Sequence, residues 1–136
     1  MTGMQAVAVA PCIQVGMGIF IPSGPSGEHL FVVIAGIQVI DGKDKVLLAP
    51  IESHHNKADS SCLLDVGDHE FIRHPSFIGY HHCRIDDVKM LEARLSSRYY
   101  RAADTAVSTL VLERIKLGYN ASSRIPRYIK NDWGSL

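Results

Sequence analysis

Apolar residues come in short runs through the first two thirds of the chain and at helical spacing after that. Gly18 to Pro22 is a brief apolar run that ends in Pro-Ser-Gly-Pro-Ser-Gly, whose backbone preferences favour a loop. His29-Leu-Phe-Val-Val-Ile-Ala35 then resumes the apolar pattern. That run is rich in β-branched and aromatic residues and too short for a typical helix, so it predicts a strand at the centre of a sheet. Asp41-Gly42-Lys43-Asp44 is a turn signal, and Lys45 to Ile51 follows as a third strand. A hairpin with the Phe31 to Ile40 segment is predicted, and with it a mostly antiparallel order. Glu52 to Ser61 is polar throughout and reads as a long loop of the kind that carries function on a rigid scaffold.

Further short runs, Cys62-Leu-Leu, Phe71-Ile72 and Phe77-Ile-Gly-Tyr80, alternate with tight turns, a pattern that predicts a small barrel. Asp86-Asp87 opens a segment in which Val88, Leu91 and Leu95 fall at three- and four-residue spacing, which predicts a helix with acid at its N-terminus. Asp104-Thr105 is read as the cap of a second helix, with Val107, Leu110, Val111, Ile115 and Leu117 on one face and Gly118 as its stop. Ser122 to Lys130 is read as a short third helix. The expected fold is α+β, mainly β: a small SH3-like antiparallel barrel over residues 17–84 with helices over 85–136.

The 136 residues suit one domain, 1–136, with one core. Fourteen basic side chains balance fourteen acidic ones, so no global field draws the chain to nucleic acid or membrane, and any anion site has to be local. Met1 to Val15 has no basic stretch ahead of its apolar residues and does not read as a signal peptide. No apolar run reaches the roughly 20 residues that cross a bilayer. Cys12, Cys62 and Cys83 are odd in number and widely spaced, which fits buried thiols in a reducing cytoplasm better than a disulfide framework.

Reactive side chains concentrate in the middle: His54, His55, Asp59, Ser60, Ser61, Asp68, His69, His74, Ser76, Tyr80, His81, His82 and Arg84. The adjacent pairs His54-His55 and His81-His82 would face opposite sides of a strand, and no helical His pair or Cys-x-x-Cys accompanies them, so no metal or other cofactor is expected. No helix N-terminus or basic cluster is predicted beside Cys62 or Cys83, which leaves them as inert thiols rather than nucleophiles. Imidazole, hydroxyl and guanidinium are the parts needed for metal-free cleavage of RNA: a base for the 2′-OH, an acid for the leaving oxygen, a cation for the phosphorane. The competing reading of the same residues is structural, with Gly67-Asp68 as a tight turn, His69 as a satisfied half-buried imidazole, and Tyr80 and Phe77 as core.

Five segments carry a family resemblance: Gly18-Ile-Phe-Ile-Pro, Glu28-His29-Leu-Phe-Val-Val-Ile, Leu47-Leu-Ala-Pro-Ile51, Asp59-Ser-Ser-Cys62 and Gly67-Asp-His-Glu-Phe-Ile-Arg-His-Pro-Ser76. In order and spacing, over roughly Met17 to Lys130, the chain resembles a divergent branch of the MazF/PemK-like toxins. The resemblance implies an SH3-like barrel and a metal-independent endoribonuclease of a toxin–antitoxin pair. The family's arginine before the Val-Val-Ile run falls at His29 here, and its hydroxyl after the third strand falls at Ser53.

On that resemblance His29 is the expected general base or acid and Ser53 the phosphate or 2′-OH contact. Arg73 or Arg84 would stabilise charge, with Asp68 and His69 positioning the others. His54, His55, Ser76, Tyr80 and Arg84 are the expected RNA contacts. The implied partners are RNA, a small antitoxin protein and a second copy of the chain in a homodimer. The alternative is a non-catalytic SH3-like module that binds a protein or nucleic acid, which the departure from the family's arginine and threonine motivates.

Overall fold

The computed structural model describes residues 12–136, so most of the Met1 to Val15 segment read for a targeting signal lies outside the described residues. Among these residues seven strands are present: β1 (Gly18–Pro22), β2 (Glu28–Ile40), β3 (Lys43–Ser53), β4 (Leu63–Leu64), β5 (Ser76–Ile78), β6 (Arg84–Asp87) and β7 (Arg101–Ala102). All pair antiparallel, in the order β4-β5-β3-β2-β1-β7, with β6 also on β3. Helices α1 (Val88–Ser96), α2 (Thr109–Ala121) and α3 (Arg127–Trp133) complete an α+β architecture with a mainly antiparallel sheet.

The hairpin expected at its centre is there. Ile40 pairs with Lys43, and Asp41 (φ 53°) and Gly42 (φ 75°) both take the left-handed backbone that a two-residue type I′ turn requires. The third strand therefore begins at Lys43, two residues before the predicted Lys45. β3 is the hub of the sheet. It pairs with β2 on one side, and on the other with β6 through Lys45–Leu48 and with β5 through Ile51–Ser53.

Alternation along β2 and β3 divides the core in two. Leu30, Val32 and Ile34, with Leu47, Ala49 and Ile51, pack towards Val111, Ile115 and Tyr119 of α2 and Ile129 and Trp133 of α3. Phe31 and Val33, with Val46 and Leu48, pack towards Val88, Leu91 and Leu95 of α1. Over residues 30–35 β2 is buried on both faces and has no place for the polar half of a period-two pattern, which is why that stretch is an unbroken apolar run. Each fully buried Val, Leu or Ile in these layers contributes about 1.5–3 kcal/mol of burial free energy.

No ladder joins the two ends of the sheet among the described residues, so it stays open where a closed barrel was expected. The terminal strands β4 and β7 are two residues each, too short to wrap round and meet, and helices on both faces cover what closure would otherwise have buried.

The first helix follows its signals: the Asp87 side chain accepts from the Met90 amide and caps α1. The second begins at Thr109 rather than Asp104-Thr105, capped by Ser108, whose side chain accepts from the Val111 amide. Residues 103–107 stay irregular instead, bent at Asp104 and Thr105 and tied at both ends: Ala103 N–H donates to the Gly18 carbonyl and Val107 N–H to the Gly16 carbonyl. Gly118 does not stop α2, which runs on to Ala121. It lies where the helix crosses the 61–62 backbone, and a Cβ there would stand 2.8 Å from both Cys62 Cβ and the Ser61 carbonyl oxygen. Leu110 and Leu117, assigned to the buried face, are 78 % and 67 % exposed. The third helix starts at Arg127, after Pro126. Ser122 is not its start but the extended C-cap of α2, with its hydroxyl donating to buried Asp59 (2.6 Å).

Candidate active site

Phe31 of β2 pairs with Pro50 of β3, and continuing that antiparallel register sets His29 level with Glu52. Both lie on the α1 side of the sheet, beyond the part of that face filled by the α1 core. The uncovered end is a cleft of about 350 Å³ lined by Ser23, His29, Phe31, Pro50, Glu52, His82 and Arg84. Buried Phe31 and Pro50 supply an apolar floor, and the ionisable groups stand on its rim.

His82 reaches the cleft from the 3₁₀ turn Tyr80–His82, and its Nδ1 lies 2.7 Å from Glu52 Oε2. An ionised carboxylate only accepts hydrogen bonds, so Nδ1 carries the proton and Nε2 is left as the basic atom. Gly79 makes this possible. A Cβ at that position would overlap Glu52 Oε2 and stand 2.6 Å from the carboxyl carbon, so the carboxylate occupies the space a side chain would fill.

Arg84 is fixed by Asp86, with Nη2 2.9 Å from Oδ1 and Nε 2.8 Å from Oδ2, and it lies over the Phe31 ring at 5.6 Å from the centroid. Burial alone would lower its pKa. The hydrogen bonds and charge of buried Asp86 outweigh that and raise it, so the guanidinium is a permanent cation at the rim.

A second cleft of about 330 Å³ shares His29 and Glu52 with the first and adds Ser53, Arg73, His74 and Ser76 over a floor that includes Leu30, Ile51 and Ile72. Ser53 Oγ and His74 Nε2 are 2.9 Å apart. Ser76 is buried and donates its hydroxyl to the His74 carbonyl, which fixes the backbone next to that imidazole. A third hollow of about 300 Å³ borders the other side of Glu52 and His82, with His55, Lys57, His81 and Arg124 on its walls.

The expected site residues thus divide. His29 lines both clefts, Ser53, Arg73 and Ser76 line the second, and Arg84 lines the first. His55 stands edge-on to Phe77 at 5.4 Å, beside the third hollow, with Nδ1 accepting from the Lys57 amide. His54 is exposed and its amide donates to the Pro75 carbonyl.

Asp68 and His69 are placed elsewhere, with structural partners. Asp68 accepts from the Asp65 amide (2.8 Å) and from Arg114 Nη1 (2.9 Å). Burial would raise its pKa, but the Arg114 bonds and charge prevail and lower it. His69 is buried: its Nδ1 accepts from the Phe71 amide, so Nε2 carries the proton and donates to the Thr105 carbonyl at 2.7 Å. Tyr80 is buried too, its hydroxyl donating to the Ile115 carbonyl at 2.6 Å, and burial pushes its pKa far up. No base can stack on it.

Glu52 and His82 have no role in the sequence reading of the site, although His82 stands in its dense polar set and Glu52 opens the predicted polar loop after the third strand. The buried thiols have no part in the clefts: burial drives Cys62 up and Cys83 to about 12, which keeps both protonated and unreactive. Among the described residues no three His, Cys, Asp or Glu side chains gather as metal ligands, and no helix is long and apolar enough to cross a membrane. No family model matches the chain, and neither the curated proteins nor the solved structures contain a significant match to it.

Proposed function

We propose that the protein is a metal-independent endoribonuclease of the MazF/PemK-like toxin type that cleaves single-stranded RNA. The observation that carries the reading is the Glu52–His82 pair, 2.7 Å apart, in one cleft with His29 and Arg84. His82 Nε2 takes the 2′-OH proton, with Glu52 holding the ring in that tautomer. The 2′-oxygen attacks phosphorus, the Arg84 guanidinium steadies the charge of the phosphorane, and His29 gives a proton to the departing 5′-oxygen. The products are a 2′,3′-cyclic phosphate and a 5′-hydroxyl. Ser53 and Arg73, in the adjoining cleft, hold the neighbouring backbone.

The bend of β2, where its register against β3 shifts between Val33 and Ala35 and again before Gln38, supports kinship with the SH3-like small barrels. The two buried free thiols support a reducing cytoplasm as the compartment. A small antitoxin protein and a second copy of the chain are the partners that belong to this reading. A non-catalytic binding module is the competing one, supported by Leu110 and Leu117, exposed two turns apart on α2 as a protein partner would require.

The test is incubation of purified protein with unstructured RNA in EDTA. Wild type should cleave, and His82→Ala and His29→Ala should each lose about a hundredfold or more in rate. Intact RNA after incubation with wild type, or cleavage by both variants at the wild-type rate, would defeat the nuclease reading.

A further inference from the structure

Phe71 is 43 % exposed at the lip of the second cleft, two residues before Arg73. One exposed aromatic on a surface is ordinary, but this one is anchored in three tiers. Its ring meets buried Phe20 edge-to-face at 5.0 Å, and the Arg101 guanidinium lies over Phe20 at 4.0 Å from the centroid. Its amide donates to His69 Nδ1 at 3.1 Å, and His69 Nε2 donates in turn to the Thr105 carbonyl. Beyond the lip is another groove, of about 260 Å³, which Phe71 and Arg73 also line. The two residues therefore form a ridge between two hollows, with an anchored aromatic ring and a guanidinium lining both. An edge-to-face contact occupies at most one face of the Phe71 ring, and with 43 % of the residue exposed the side chain keeps apolar surface for a further contact.

The geometry points to the Phe71–Arg73 ridge as a nucleotide subsite, in which an unpaired base stacks on Phe71 and its phosphate pairs with Arg73. It deepens the nuclease reading and rests on it for the direction of the strand, since the ridge borders the cleft that holds His29 and Ser53. A π-face accepts any base, so the subsite selects unpaired strands over duplex rather than one sequence over another. It also gives buried His69 a purpose: as a positioning residue it holds the backbone of the ridge, and does not touch the substrate.

The test uses the full-length protein and a short, fluorescein-labelled 2′-O-methyl oligonucleotide of mixed sequence, which cannot be cleaved, as a single strand and as a duplex at one salt concentration. Wild type should bind the single strand more tightly than the duplex. Phe71→Ala should weaken single-strand binding by about five- to a hundredfold, the range for loss of one base–aromatic stack, and leave duplex binding unchanged. A second variant, Phe71→Trp, should keep the affinity and show emission quenched by the strand, measured against wild type, whose own Trp133 is buried. Absence of binding by wild type, wild-type affinity in Phe71→Ala, or unquenched emission at saturation would overturn the subsite. If the strand binds as described while unmodified RNA stays intact, the nuclease reading falls and the subsite stands. If RNA is cut by Phe71→Ala as fast as by wild type at subsaturating substrate, the subsite falls and the nuclease reading stands.

Discussion

Replacing Gly79 by alanine removes no polar group, yet it should disable the proposed base. The new Cβ would stand 2.6 Å from the Glu52 carboxyl carbon. Carbon atoms in contact stay at least about 3.5 Å apart, so the carboxylate has to withdraw by roughly 1 Å. The His82–Glu52 hydrogen bond, 2.7 Å long, is then stretched to about 3.6 Å, beyond bonding range. The backbone does not resist the change: Gly79 has φ −81° and ψ 75°, a conformation alanine adopts without strain. Glu52 is a flexible side chain, so the fold yields there and global stability should move by no more than about 1 kcal/mol. The His82 side chain is 62 % exposed and turns freely once it is released. A base that spends most of its time misoriented should cost about ten- to a hundredfold in kcat for RNA cleavage in EDTA. Nitrogen NMR of the imidazole reports the cause, because the Nδ1–H tautomer of wild type should give way to a mixture. Shortening the acid in Gly79→Ala/Glu52→Asp relieves the overlap and should recover part of the rate. A Gly79→Ala protein with wild-type kcat and an undisturbed Nδ1–H signal would refute the reasoning.

Gly118→Ala should destabilise the protein by about 1–3 kcal/mol in urea unfolding, although alanine in a helix ordinarily gains about 0.5–1 kcal/mol over glycine. The added methyl would meet Cys62 Cβ and the Ser61 carbonyl, and a variant as stable as wild type would show that α2 does not cross this turn so closely. Asp59 predicts an acid dependence. Burial raises its pKa, but hydrogen bonds from Ser122 and Ser61 and the charge of Arg124 together hold it below 3.8. Such a group contributes stability that is complete above the unfolded pKa and is lost as pH falls through the folded one. Asp59→Asn should therefore have a lower Tm than wild type at pH 7 and approach it below about pH 3. Parallel Tm curves through that range would count against the account.

Much of the fold is visible in the sequence because its strongest signals are local. The first half of β2 is recognisable since burial of residues 30–35 on both faces leaves no polar alternation there. The type I′ turn is recognisable from Asp41-Gly42, and α1 from Asp87 followed by Val88, Leu91 and Leu95. The start of α2 is not, because residues 103–107 have capping and helical signals that lose to hydrogen bonds donated to the carbonyls of Gly16 and Gly18, nearly ninety positions earlier. Gly118 has the local meaning of a stop and the tertiary meaning of a close crossing. The open sheet is likewise a product of helix packing on two faces, which strand lengths alone do not reveal.

The site divides in the same way. Side-chain chemistry is a property of residue type, so the sequence alone shows imidazole, hydroxyl and guanidinium groups suited to a phosphate, Arg84 among them, while His29, Ser53 and Arg73 are expected only from the resemblance in segment order. Which groups meet is a property of register and turn geometry. Asp68 and His69 are neighbours of Arg73 along the chain, yet the turn at Gly67 directs one to Arg114 and the other to the Thr105 carbonyl. Glu52 and His82, thirty positions apart, meet because β3 ends beside the 3₁₀ turn and Gly79 leaves room for a carboxylate. The kinds of element and the stock of reactive groups are legible along the chain, since both follow from short-range periodicity and composition. Which of those groups share a cleft emerges only on folding, because it depends on contacts between strands and turns far apart in the chain.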